Sequence, residues 1–65
     1  MTLEELSPVM LLGRKVLITT PRISGRIVAV GMFLYSTGRR YLVEYWEAGE
    51  QRTEWLAEDQ IEEEV

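Results

Sequence analysis

The stretch RRYLVEYWEAGEQRTEWL, residues 39–56, decides how this chain can fold. Residues 40–46 and 51–56 are rich in aromatic and β-branched side chains, and a turn sequence with Gly49 at its centre separates them. Successive side chains of a strand point to opposite faces of a sheet. The pattern therefore predicts a β-hairpin. One face of its first strand carries Tyr41, Val43 and Tyr45, and the other carries Leu42, Glu44 and Trp46.

The sequence before the hairpin predicts two further strands. Residues 15–20 (KVLITT) are β-branched and roughly alternating, which is typical of a strand. Residues 21–25 (PRISG) are expected to form a loop that turns at its final glycine. Residues 26–36 are expected to form one long strand with a bulge or bend at Gly31, because glycine inside a strand often marks such a position. A turn at residues 36–39 then leads into the hairpin.

Both ends of the chain are expected to add short elements to this body. Residues 2–7 have the spacing of a capping box and predict a helical turn. Residues 57–60 suit a second helical turn, and residues 61–65 suit a short last strand. The side chains expected to dock on the body are Leu3, Leu6, Met10 and Ile61.

Four or five short strands joined by tight turns predict an all-β fold. Closure into a small barrel is favoured over two packed sheets because closure removes exposed strand edges. Residues 13–65 are predicted to form the barrel with its acidic C-terminal end, and residues 1–12 a helical turn and lead-in.

The composition narrows the classes of function. The chain has 65 residues and no Cys or His, which excludes disulfides, thiolate zinc sites and the usual neutral-pH general base. We therefore expect no cofactor and no metal. A chain this small often gains stability by oligomerising. The acidic start of the chain does not resemble a signal peptide, and no apolar run is long enough for a membrane span, so we expect a cytoplasmic protein.

Charge is distributed unevenly along the chain. The net charge is −4, yet residues 13–52 hold all seven basic side chains and only three acids, for a net +4. Residues 53–65 carry −6. Two explanations fit this pattern: an anionic partner for the basic middle, or an acidic tail that lies across the middle and neutralises it.

The order of these signals resembles the SH3-like small barrels of the Tudor, chromo-barrel and KOW type. The resemblance covers most of residues 13–62. It rests on Gly13 and Val16 in the first strand, Gly25 and Ile27 in the second, Tyr41-x-Val43-x-Tyr45 and Gly49 in the third and its turn, and Trp55-Leu56 and Ile61 at the end. It implies a non-catalytic binding module for proteins, nucleic acids or copies of itself. Many small phage and mobile-element proteins share this style, which makes such an origin an expectation.

One relative of this class is an enzyme, the type II dihydrofolate reductase, which assembles around a shared pore. That family carries a Gln-hydrophobic-Tyr run on a late strand, whereas the corresponding residues here are Gln51-Arg52-Thr53. The sequence also has no phosphate-binding glycine loop and no poised acid–base pair. We therefore expect no catalytic residue and no enzyme activity.

The aromatic side chains give the leading candidate site. Tyr41 and Tyr45 are expected in the core, while the rings of Trp46 and Trp55 are the ones expected to be partly exposed. Exposed rings suit a partner-binding surface, a stacking platform or a contact with a second copy. The predicted partner-binding residues are Trp46, Trp55, Tyr35 and Glu44.

An arginine-rich end of the barrel gives the alternative site. If the loops at residues 21–25 and 36–39 share one end, four guanidinium groups converge there and could bind phosphates. The predicted nucleic-acid-binding residues are Arg22, Arg26, Arg39 and Arg40.

Overall fold

The computed structural model describes residues 3–32 and 38–63 of the chain. Five antiparallel strands form one sheet in the order β4-β3-β2-β1-β5. A 3-10 helix at Leu3–Glu5 and a helix α1 at Pro8–Leu11 precede the sheet, and a 3-10 helix at Glu58–Gln60 precedes the last strand. The all-β prediction with a short N-terminal helical turn is confirmed. The strands are β1 (Lys15–Thr19), β2 (Arg22–Gly31), β3 (Arg40–Glu47), β4 (Glu50–Ala57) and β5 (Ile61–Glu63).

The hydrogen-bonded sheet is not closed into a barrel, which corrects the predicted closure. Within residues 3–32 and 38–63, β4 and β5 form the two edges of the sheet and do not pair with each other. The three residues of β5 pair with Val16, Leu17 and Ile18 of β1. A strand this short offers few further backbone groups for a second ladder.

The predicted loop at residues 21–25 is wrong, because β2 already begins at Arg22. Only Thr20 and Pro21 separate β1 from β2, and the pairing runs without interruption from Thr19 opposite Arg22 to Lys15 opposite Arg26. The pairing places Ile23 opposite Ile18 on the core side of the sheet. The loop prediction followed Pro21 and Gly25, whereas the added apolar pairing favours a strand.

The bulge in β2 lies at Val28 and not at Gly31. The register with β3 shifts between Ile27 and Ala29, whereas Gly31 pairs regularly with Arg40. Ile27 is fixed from the other side, since its N–H donates to Arg14 O at 3.0 Å and its carbonyl accepts from Gly13 N–H at 2.7 Å. The extra residue is therefore accommodated directly after Ile27.

The core lies between the inner face of the sheet and the N-terminal segment. The expected alternation of β3 is confirmed, because Tyr41 and Val43 are fully buried and Tyr45 packs against them. Leu3, Leu6 and Ile61 are buried as expected, but Met10 is 58% exposed. Pro8 begins α1, and the turn that follows brings Leu11 into the core. The buried cluster is Leu3, Leu6, Leu11, Val16, Ile18, Ile27, Tyr41, Val43, Leu56 and Ile61.

Arg39 attaches the N-terminal segment to the sheet. Its guanidinium group donates to Leu6 O at 2.8 Å and to Leu3 O at 3.1 Å, and lies 5.9 Å from the centre of the Tyr41 ring. The Tyr41 hydroxyl in turn donates to Glu58 Oε2 at 2.5 Å. The start of β3 thereby connects both helical ends of the chain to the core.

We expect Arg39→Ala to lower the free energy of unfolding by about 2 kcal/mol, because two hydrogen bonds from a charged donor are lost. Urea unfolding followed by circular dichroism measures this change. Arg40→Ala is the matched control, since Arg40 makes no side-chain hydrogen bond or ion pair within the described residues. Equal losses in the two variants would contradict the attachment role.

Gly25 of β2 lies where β3 leaves no room for a side chain. A Cβ atom at this position would lie 2.6 Å from Val43 Cγ1 and 2.9 Å from the Glu44 carbonyl oxygen. Val43 is fully buried and the carbonyl belongs to the backbone, so neither atom can move aside cheaply. Absence of a side chain at residue 25 is thus a packing requirement in mid-strand.

We expect Gly25→Ala to destabilise the fold by about 1–3 kcal/mol through overpacking. Gly31→Ala is the control, because a Cβ there would meet Trp55 at an ordinary contact distance of 3.5 Å. Thermal unfolding of both variants makes the comparison. A Gly25→Ala midpoint equal to that of Gly31→Ala would refute the packing requirement.

Candidate interaction surface

The face of the sheet that points away from the core carries three of the four predicted partner-binding residues, Trp46, Trp55 and Glu44. We call it the outer face. The register of the strands places Lys15, Arg26, Glu44 and Thr53 in one row across β1, β2, β3 and β4. Trp46 and Trp55 lie on the same face, opposite Gln51 and Leu42 respectively. The charged row and both tryptophans therefore share one surface.

Trp46 is the more exposed of the two tryptophans. Its side chain is 64% exposed at the end of β3. It borders a shallow groove of about 510 Å³, with Lys15, Ser24, Arg26 and Glu44 around it. Arg26 is positioned from one side, since its Nη1 donates to Gly13 O at 3.3 Å. The groove combines one indole ring with two cations and one carboxylate.

Trp55 is 43% exposed and also serves a packing role. Its Cη2 and Cζ3 atoms lie 3.5 and 3.6 Å from the position that a Cβ of Gly31 would occupy. Gly31 belongs to β2 and Trp55 to β4, so the ring reaches across β3. Both tryptophans are exposed, as expected. They differ in that the ring of Trp55 packs over Gly31 of β2.

The two tryptophans of one chain do not form a single cage. Trp55 lies opposite Leu42, which is four positions along β3 from Trp46. Four positions correspond to about 13 Å along a strand. Glu44 occupies the interval between them and is half-buried. Tyr35, the fourth predicted partner-binding residue, lies outside the described residues.

The four arginines predicted to converge are spread over the molecule. Arg22 begins β2 and Arg40 pairs with Gly31 at its far end, about 25–30 Å away along the strand. Arg39 turns to the N-terminal segment, as described above. The prediction of convergence is wrong because residues 22–25 belong to β2, so that Arg22 and Arg40 lie at opposite ends of this strand.

Acids near the C-terminus lie against basic residues of the middle of the chain. Arg14 forms an ion pair with Glu63, and Arg22 lies 3.7 Å from Glu62. Both acids belong to β5, which pairs with β1. The contacts favour the second explanation of the charge pattern, in which the acidic end neutralises the basic middle.

A cleft on the inner side of the sheet was missed by the sequence analysis. It has a volume of about 320 Å³ and lies beside the turn between β1 and β2, with Thr20 and Pro21 in its lining. Ile18, Ile23 and Leu56 supply apolar walls, and three acids border it, Glu47, Glu54 and Asp59. No local sequence signal reveals this cleft, because its residues come from five separate elements, the strands β1 to β4 and the 3-10 helix at Glu58–Gln60.

No known protein family, curated protein or solved structure matches this chain. Across the described residues, no helix has the length and apolar character that crossing a membrane requires. Residues 3–32 and 38–63 also contain no group of three or more potential ligands placed to hold a metal ion.

Burial and the acids of the inner cleft together raise the pKa of Tyr45. Its hydroxyl donates to Glu54 Oε2 at 3.1 Å. Burial raises the pKa of Tyr45 above the ordinary value of 10.0, and the hydrogen bond and charge of Glu54 raise it further. The Arg52 guanidinium opposes these effects. A raised pKa stabilises the folded state below pH 10, and this contribution is lost as the pH rises through the folded-state pKa.

We expect Glu54→Gln to lower the pKa of Tyr45 towards its ordinary value, because a neutral amide removes the nearby negative charge. Carbon-13 NMR of the tyrosine rings resolves the titration of each of the three tyrosines. Glu50→Gln is the control, since Glu50 lies on the same hairpin without contacting Tyr45. An unchanged Tyr45 titration in Glu54→Gln would contradict this assignment.

Proposed function

We propose that this protein is a non-catalytic interaction module that binds protein partners through the outer face, with Trp46 as the central contact. The observation that carries the proposal is the 64% exposure of Trp46 beside a groove with charged walls. Ten other side chains already fill the core, so this ring is not needed there. Exposed tryptophans are enriched among residues that dominate binding energy at protein interfaces.

The groove suggests the chemistry of the partner. Lys15 and Arg26 supply two positive charges and Glu44 one negative charge beside the Trp46 ring. A segment with an apolar or proline side chain next to a carboxylate would place the first on the ring and the second near the cations. The guanidinium group of Arg26 is already oriented by its hydrogen bond to Gly13 O. Less conformational entropy of this side chain is therefore lost on binding.

Membership of the SH3-like class is part of the same proposal. The sequential strands β1 to β4, the helical turn and the return of β5 beside β1 support it. Members of that class are mostly binding modules, in agreement with the function proposed here. The open inner cleft is the feature in which this chain departs from a closed barrel.

Nucleic-acid binding through the arginines stays a prediction that no structural observation favours. Arg22 and Arg39 are engaged with Glu62 and with backbone carbonyls respectively. Phosphate contacts would release counterions and make affinity fall steeply with salt. Titration of short DNA at low and moderate salt, followed by amide NMR, distinguishes such binding from a protein interface.

We expect Trp46→Ala to weaken binding of a selected peptide by at least about tenfold, because the central apolar contact is lost. The peptide is chosen from a displayed random library against the wild-type protein, and affinity is measured by calorimetry. The thermal midpoint should change little, since Trp46 lies outside the core.

Val9→Ala is the control for this experiment, because Val9 is 81% exposed but lies on α1, away from the outer face. It should leave both affinity and stability unchanged. Failure to select any peptide, or equal affinity of wild type and Trp46→Ala, would overturn the proposed surface.

A further inference from the structure

We infer that two copies of this chain join edge to edge through β4, so that Trp46 of one copy and Trp55 of the other form one composite binding surface. The inference rests on the proposed function for the role of that surface, and it names a second copy as the first partner. Four observations on β4 carry it: an open edge, a self-complementary sequence, uncommitted polar atoms and the placement of the tryptophans.

The free edge of β4 is long and accessible. Within the described residues β4 pairs only with β3, and its six residues from Glu50 to Trp55 are all exposed. The Ala57 N–H donates to Gln60 Oε1 at 2.8 Å, so the backbone of Ala57 points away from β3. Backbone groups alternate along an antiparallel strand, which directs those of Thr53 and Gln51 to the open edge. Such an edge can accept another strand.

The sequence of β4 selects one register for self-pairing. Two antiparallel copies related by a two-fold axis place one residue opposite itself. With Thr53 at the axis, Arg52 of each copy lies opposite Glu54 of the other, which creates two pairs of opposite charge. If the axis moves by one residue, either Arg52 or Glu54 lies opposite the same residue of the second copy. Like charges directly opposite each other are destabilising.

The charged side chains can form these pairs without breaking their present contacts. Arg52 uses Nε on Glu47 at 3.5 Å and Nη2 on Glu50 at 3.3 Å. Its Nη1 donates no hydrogen bond within the described residues. Glu54 accepts the Tyr45 hydroxyl at Oε2, and its Oε1 accepts none from the described part of the chain.

The same register brings the tryptophans of two copies together. Gln51 lies opposite Trp46 within one chain and would lie opposite Trp55 of the second copy. All three side chains then occupy one row of the outer face. Two strand spacings, about 10 Å, would separate Trp46 from Trp55 of the second copy, instead of the larger separation within one chain. The dimer carries two such tryptophan pairs, each able to enclose one side chain of a ligand.

The other edge of the sheet is unsuited to self-pairing. Within the described residues β5 spans Ile61–Glu63 and carries Glu62 and Glu63. Pairing two copies there would bring these acids close to their counterparts, which is unfavourable. Both acids also already face Arg22 and Arg14 of their own chain. The β4 edge is therefore the one that favours a second copy.

The test exchanges the charges of the register. Sedimentation velocity from micromolar to millimolar concentration should show wild-type protein shifting from 7.6 kDa to twice that mass. Arg52→Glu alone and Glu54→Arg alone should each weaken the dimer at least about tenfold, because every cross-copy charge pair becomes repulsive. An equimolar mixture of these two variants should regain wild-type affinity as a heterodimer, since each variant then meets the opposite charge.

Circular dichroism confirms that each variant is folded, and Glu62→Arg on β5 is the control that should leave dimerisation unchanged. A wild-type protein that stays monomeric at millimolar concentration would overturn the inference. So would a dimer insensitive to both charge reversals, or variants that do not recover when mixed.

The peptide assay separates failure of this inference from failure of the proposed function. A β4 dimer with the expected charge dependence but no peptide binding would leave the inferred pairing standing and refute the outer face as a binding site. Peptide binding by the monomeric Arg52→Glu variant at wild-type affinity would refute the composite surface, while the proposed function would stand.

Discussion

The pairing of β2 on both of its edges is the interaction on which the rest of the structure depends. Its ten residues pair with β1 on one side and with β3 on the other. The backbone of Gly13 and Arg14 forms hydrogen bonds with that of Ile27. Because Gly25 has no side chain, β3 can pack directly against β2 at this position. The inner face can then bury Val16, Ile27 and Val43 in one layer.

A small chain places strong limits on what a sheet can do. Only one side of the sheet can be covered, and the N-terminal segment completes that cover through Leu3, Leu6 and Leu11. The outer face stays in solvent, and it carries the charged row and both tryptophans. The surface proposed to bind a partner is therefore the face of the sheet that does not contribute to the core. The inferred pairing of a second copy at the β4 edge would extend this surface.

Several charged side chains of this molecule form contacts within the chain itself. Arg39 holds the N-terminal segment, and Arg14 and Arg22 meet acids of β5. Exposed ion pairs of this kind contribute little stability individually. Their effect here is to occupy basic groups that the composition alone makes available to an anionic partner. Lys15 and Arg26 lie beside Trp46 on the outer face, at the surface proposed to bind a partner.

Local sequence patterns determined the all-β class, the hairpin around Gly49 and the division of β3 into a buried and an exposed face, because alternation along one strand encodes them. Only the tertiary structure decided the features that depend on residues far apart in sequence. Pairing with β1 turned the predicted loop into strand, and the hydrogen bonds of Ile27 with Gly13 and Arg14 placed the bulge at Val28. The turn of α1 buried Leu11 in place of Met10. Sheet order, in turn, separated the arginines and left an inner cleft lined by residues of β1 to β4 and of the 3-10 helix at Glu58–Gln60. These outcomes depend on which strands become neighbours. Contacts between residues far apart in sequence decide the order of the strands, so no single segment of the chain predicts it.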